Sequence, residues 1–146
     1  MTVTSPEFLD DLVTKANADG ITGFVAAAMI IHDGRTLLVR RLPDDFMGGF
    51  WEVPSGKVEA GETILDGLRR ETDEETGLTI SQITSYIGHF DYSDSDGIGT
   101  TRQFNFAVTV EKAEPIILTE HDSFMWWAHP DELPQVSDEV RGVLIR

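Results

Sequence analysis

Four glutamates and an arginine between Gly56 and Leu78 are set at intervals that suit chemistry: Glu62, then Arg70, Glu71, Glu74 and Glu75. Glu71, Glu74 and Glu75 stand at i, i+3 and i+4. On a helix turning about 100° per residue they fall within an arc of about 100°. Like charges so placed repel by a few tenths of a kcal/mol per pair, so the arrangement is poor for stability unless a cation fills the gap. Carboxylate oxygens without thiolates suit hard divalent ions, Mg²⁺ or Mn²⁺ above zinc. The spacing therefore predicts a metal site on one side of a short helix.

Local signals draw that helix. Thr63 is placed to cap its start with Asp66 in the first turn, Gly77 suits a left-handed stop, and no proline lies between. Leu65, Leu68 and Thr72 form an apolar stripe beside the acids, which packs on a core while the glutamates face a cleft. Ahead of the helix, the run from Trp51 through Lys57 reads as a strand end entering a tight loop, with Gly56 supplying a positive φ. Glu62 lies near the helix start and out of phase with the other acids, so a role in the site requires the loop to bend back.

The run Gly-x5-Glu-x7-Arg-Glu-x2-Glu-Glu-x-Gly-Leu resembles the signature of the Nudix hydrolases, with every fixed charge and glycine present across residues 56–78. The lead-in Trp51-Glu52-Val53-Pro54 and the tail from Glu120 to Trp126 resemble MutT-type members, which extends the likeness over most of the chain. Thr72 departs from the pattern, standing where an apolar residue is usual, and Ser55 stands where glycine is common. Thr72 is expected to bury its methyl and return its hydroxyl to the Leu68 carbonyl, softening the helix without loss of chemistry.

The resemblance implies hydrolysis of a phosphoanhydride with a divalent cation, Mg²⁺ or Mn²⁺, as cofactor. It assigns metal binding to Glu71, Glu74 and Glu75, with Glu62 as an outer or additional ligand. Glu120 matches a glutamate that reaches the metal from a distant loop, as ligand or as general base; a solvated loop acid is the plainer alternative. Arg70 is expected to orient a glutamate through a bidentate pair rather than to clamp phosphate. Glu52, just ahead of the box, either assists or faces water.

Basic residues are few, 11 Lys and Arg against 26 Asp and Glu, for a net charge of −15. That balance argues against binding a nucleic acid polymer. Arg40 and Arg41 end a strand leading toward the cleft, where one of them can meet substrate; strand alternation forbids both. Lys57 steadies the box loop or touches phosphate. Phe50, Trp51 and Trp126 are candidates to stack a base, with core packing as the alternative. His32, His89, His121 and His129 lack ligand spacing and are read as surface or structural. Asp94-Ser95-Asp96-Gly97 echoes a calcium loop, but Tyr92 and Gln103 stand at its first and twelfth positions, so it is read as a hairpin connection.

The length of 146 residues predicts one domain, residues 1–146, and 40% apolar content suffices for its core. The longest apolar stretch, Phe24 to Ile31, falls well short of the roughly 20 residues that span a bilayer. No basic, apolar leader opens the chain, which predicts a cytoplasmic protein without membrane partners. An N-terminal helix is expected over about residues 6–19, followed by strands at 23–31 and 36–41 joined by an Asp33-Gly34 turn. Further strands are expected at 85–92, 101–110 and 124–128, with a closing helix capped by Ser137. The fold class is α/β, an α/β/α sandwich with a mixed central sheet and a loop-helix-loop catalytic motif, which the family resemblance also implies. A homodimer through strands or the N-terminal helix is left open.

The expected substrate is a nucleotide-type small molecule. The MutT-like tail favours a nucleoside triphosphate cleaved to monophosphate and pyrophosphate, with the loop from Pro134 to Asp138 reading the base and Ser137 near the reading position. Nucleotide sugars and dinucleoside polyphosphates are alternatives, as is a sensing module that binds without cleaving. ADP-ribose-cleaving members resemble one another in a proline soon after the box, and none occurs here between Pro54 and Pro115.

Overall fold

Ten elements follow in the order α1 (Pro6–Ala18), β1 (Gly23–His32), β2 (Arg35–Arg41), β3 (Trp51–Glu52), β4 (Ser55–Lys57), α2 (Ile64–Thr76), β5 (Ile80–Ser93), β6 (Thr100–Val110), β7 (His121–Trp127) and α3 (Asp138–Leu144). The structure is a computed structural model that describes residues 2–129 and 131–145. Among the described residues no helix is long and apolar enough to cross a membrane.

The sheet is mixed. β1 lies at its centre, parallel to β6 from Gly23 through Ile30, and β5 runs antiparallel along the far side of β6. On its other edge β1 changes partner midway. Val25 to Ala27 pair with β4, whereas Ile31 and His32 turn through Asp33 and Gly34, both at positive φ, into β2. That is the backbone an Asp-Gly hairpin turn requires. β2 in turn carries β3 and β7. The two branches leaving β1 diverge, and the space between them becomes the cleft described below.

Alternation along the strands sends side chains to two cores. Ala26, Ala28 and Ile30 of β1, Leu37 and Val39 of β2 and Phe104, Phe106 and Val108 of β6 meet α1 through Leu12 and Ala16 and α2 through Ile64 and Leu68. The opposite face presents Ala27, Leu38, Val53 and Trp127, against which Leu144 of α3 packs. Helices on both faces of a mixed sheet make the expected sandwich.

Several boundaries differ from the sequence expectation. β5 begins at Ile80 because it pairs with β6 along its whole length, with bulges that its polar residues do not announce. β7 begins at His121 rather than residue 124, since its register with β2 reaches Arg41. The buried face of α2 runs through Ile64, Leu68, Thr72, Glu75 and Thr76, while Leu65 is half-buried. This phase takes Glu75 inside. The Thr72 hydroxyl donates to the Leu68 carbonyl at 2.8 Å, as its position predicts.

Candidate active site

The ends of α2 are set locally. Thr63 accepts the Asp66 N–H at 3.1 Å, and Gly77, at φ +74°, ends the helix with its own N–H donating to the Asp73 carbonyl at 2.8 Å. Gly56 has a different task from the positive φ expected of it. It lies in strand β4 opposite Ala26 and is not among the residues at positive φ. A Cβ there would stand 2.0 Å from Cδ of Glu71 and 2.1 Å from its Oε2. The present placement of Glu71 needs glycine at 56, because the Glu71 side chain lies directly on the β4 backbone.

Arg70 gathers the acids around it. Its Nε and Nη2 donate to the two oxygens of Glu62 at 2.7 and 2.9 Å, and its Nη1 donates to Glu71 at 2.9 Å and Glu74 at 3.1 Å. Nη2 also donates to the Lys57 carbonyl at 2.9 Å, tying the helix to β4. The loop before α2 thus bends back far enough to bring Glu62 to the arginine, despite its helical phase. Arg70 and the Glu59 N–H hold the Glu62 carboxyl down at about 2.

Glu75 is placed otherwise. It is 4% exposed, and the Ser55 N–H donates to its Oε2 at 3.1 Å. Burial, and then the charges of Glu120, Glu71 and Glu52, push its carboxyl up to about 8 against the pull of that hydrogen bond. Burial likewise raises Glu71, although the Arg70 guanidinium opposes it. Glu75 and Glu120 line one open cleft of about 410 Å³ with Arg41, Glu52, Ser55 and His121. Its acids outnumber its cations, so an ionised Glu75 lacks a compensating charge.

His121 lines this cleft, so of its reading as surface or structural the structure rules out the surface half. It is 8% exposed, and its Nε2 lies 2.8 Å from Glu52. An ionised carboxylate only accepts, so Nε2 carries the hydrogen. His121 Nδ1 is the one fully buried side-chain nitrogen or oxygen among the described residues without a hydrogen-bond partner. Arg41 completes the group: its Nη1 donates to Glu52 at 3.2 Å and its Nε to the Phe46 carbonyl at 2.6 Å. No spacing in the sequence links His121 to Glu52, because the pairing of β2 with both β3 and β7 is what brings them together.

The remaining sequence candidates are distributed unevenly. Pairing passes from Arg40–Ser123 to Arg41–His121, which leaves Asp122 as an extra residue in β7. Arg40 donates to that Asp122 at 2.7 Å and lies 5.7 Å over the Trp51 ring, whereas Arg41 enters the cleft. Trp51 packs on the second core, and Trp126 meets His32 elsewhere with the rings tilted by 51°. The Lys57 side chain lines a separate groove with Tyr92 and Asp94. Ser137 caps α3 by accepting the Val140 N–H at 3.2 Å. It also lines a second cavity, of about 480 Å³, which shares Arg41, Glu52 and Ser55 with the acidic cleft. The Trp51 N–H donating to the Gln135 carbonyl at 2.8 Å holds the 134–138 loop at that cavity.

Residues 23–145 match the family model described as NUDIX domain. The chain belongs to the Nudix family. It is 35% identical over 111 residues to a protein named octanoyltransferase from Myxococcus xanthus, covering 71% of this chain and 29% of that one. It is 39% identical over 61 residues to the 8-oxo-dGTP diphosphatase of Proteus vulgaris, covering 41% and 54%. Identity is 37% over 82 residues to the ADP-ribose pyrophosphatase of Methanocaldococcus jannaschii, covering 56% and 47%. The chain thus spans about half or less of these curated relatives. Among solved structures, a MutT NUDIX hydrolase from Burkholderia pseudomallei superposes with a TM-score of 0.71 at 23% identity, covering 84% of this chain and 95% of that one, which shows the shared fold.

Nudix hydrolases generally use divalent metals. The acids here fit one in donor chemistry: all are oxygen ligands, and Glu75 is a buried carboxylate with a single hydrogen-bond donor and other acids around it. As their side chains are placed, no three acidic or imidazole groups among the described residues enclose an ion, because Glu62, Glu71 and Glu74 turn to the Arg70 guanidinium instead. A cation at Glu71 or Glu74 competes with that arginine.

Proposed function

We propose that this Nudix domain hydrolyses a nucleoside triphosphate to the monophosphate and pyrophosphate with Mg²⁺ or Mn²⁺. The supporting observation is Glu75, a carboxylate nearly removed from water and facing other acids across a cleft that adjoins a cavity with aromatic walls. One compartment suits charged phosphates with their counter-ion, and the next suits a base. Glu71, Glu74, Glu75 and Glu120 would hold the cation, which would neutralise diphosphate charge and acidify the attacking water. Arg70 and Glu62 fix the helix against β4, and Arg41 stands between the compartments, oriented by Glu52 and the Phe46 carbonyl to meet a phosphate oxygen. Glu120, to which no described residue donates a side-chain hydrogen bond, either ligates or takes the proton as water attacks phosphorus and pyrophosphate departs.

The relative named for ADP-ribose favours a second reading, a nucleoside diphosphate joined to a sugar. One screen separates the two. Purified protein is offered nucleoside triphosphates, ADP-ribose, dinucleoside polyphosphates and nucleotide sugars, with Mg²⁺, with Mn²⁺ or with a chelator. The expected result is monophosphate and pyrophosphate from a triphosphate, abolished by chelation and lowered by about 10²-fold or more in Glu75→Gln. Binding without cleavage across the panel refutes the enzymatic reading, and unchanged turnover in Glu75→Gln refutes the site.

A further inference from the structure

Gln103 lies on β6 between Val25 of β1 and Phe90 of β5, on the sheet face that α3 covers. It is 8% exposed and lines the second cavity. The orientation of its amide is dictated two residues away. The Gly88 carbonyl can only accept, so Asn105 turns its Nδ2 to it, at 3.2 Å. Asn105 Oδ1 is thereby left to accept, and Gln103 Nε2 donates to it at 3.0 Å. The amide oxygen of Gln103 must then point the other way. No described residue donates to it, and it is not sealed off, since among the described residues His121 Nδ1 is the one fully buried side-chain nitrogen or oxygen without a partner. It is an oriented acceptor opening into the cavity.

Among the other groups on the cavity, Glu52 and Glu139 add carboxylates, Arg41 is engaged by Glu52 and the Phe46 carbonyl, Ser137 Oγ accepts the Val140 N–H and keeps its own O–H to donate, and Phe46, Phe90 and Tyr92 supply aromatic surface. We infer that Gln103 selects the base of the substrate, and that the cavity takes bases carrying an exocyclic amino group over those with a carbonyl in its place. An amino N–H completes the orphaned acceptor, whereas a carbonyl sets oxygen against oxygen at an amide that is itself only 8% exposed. The inference rests on the nucleotide reading above and specifies which nucleotides it concerns.

Two substrate pairs test it, each an amino-for-carbonyl exchange on one ring: dCTP against dUTP, and dATP against dITP. In the ring size the cavity prefers, the wild-type protein is expected to favour the amino member by about 10-fold or more in kcat/KM. Gln103→Met, verified as folded by its melting transition, is expected to bring that ratio to within about threefold. Should the variant not fold, N4,N4-dimethyl-dCTP or N6,N6-dimethyl-dATP removes the donor from the substrate side, and the wild-type preference is expected to vanish. Calorimetry with the α,β-methylene analogues of the same pairs separates base selection from the reaction. Tighter binding of the amino member without hydrolysis refutes the proposed reaction and sustains this inference. Equal use or binding of both members, binding of neither, or a ratio unchanged in Gln103→Met overturns it.

Discussion

Gly56→Ala isolates the contact on which the Glu71 position depends. In β4 the backbone of residue 56 is not at positive φ, so alanine is conformationally acceptable there. Absent other effects the change would stabilise the chain by about 0.4–1 kcal/mol through the unfolded state. Sterics oppose this: the new methyl would lie 2.0 Å from Cδ and 2.5 Å from Cγ of Glu71, so the carboxylate must retreat by more than an ångström. That retreat breaks its 2.9 Å bond with Arg70. A misplacement of about 1 Å in a reacting assembly costs about 10²-fold, and kcat on the best triphosphate is expected to fall by that amount. Gly61→Ala is the control. Gly61 is at φ +85° with open space around its missing Cβ, so alanine there is expected to lower stability by about 1 kcal/mol and leave kcat within about threefold. The assay is steady-state pyrophosphate release at saturating Mg²⁺, with melting curves for each protein. Wild-type kcat in a folded Gly56→Ala protein would refute the reasoning that the Glu71 placement matters.

Two further changes probe the electrostatics through pH. Because the Glu75 carboxyl is raised to about 8, the unfolded chain ionises first, and stability without metal declines as pH rises from about 4, the ordinary glutamate value, levelling beyond the folded value. In chelator, Glu75→Gln is expected to flatten that decline and melt above wild type at pH 8; parallel curves of melting temperature against pH would count against the buried charge. Asp91 takes hydrogen bonds of 2.8 and 2.9 Å from Arg102, which hold its carboxyl below the usual range. Its contribution is therefore present above about pH 4 and lost as pH falls through the folded value. Asp91→Asn is expected to lower stability at pH 7 by about 1–2 kcal/mol, toward the low end because the carboxylate is partly exposed, and to shrink the acid-side loss; denaturant titrations at pH 3 and pH 7 check both.

How much was legible in the chain is clearest from particular residues. Thr63, Asp66 and Gly77 marked the ends of α2 because capping uses groups within a few residues of each other. The Asp33-Gly34 turn and the back-bond of Thr72 to Leu68 were readable for the same reason. The spacing of Glu62, Arg70, Glu71, Glu74 and Glu75 carried the family, since its pattern is itself a sequence property. Gly56 reads from the sequence as a positive-φ turn residue, but the reason for glycine there lies fifteen positions away, in a glutamate that only tertiary packing brings onto its backbone.

What the sequence by itself determined were interactions within one helix turn or one hairpin, together with the charge balance. Only the tertiary structure decided which arginine enters the cleft, because a one-residue register shift between β2 and β7 gives Arg40 to Asp122 and Arg41 to Glu52. It also placed His121 against Glu52 and the amide chain from Gly88 through Asn105 to Gln103. The physical reason is one of range. Side-chain hydrogen bonds and burial act over a few ångströms of space, and strand pairing brings together residues separated by tens of positions along the chain.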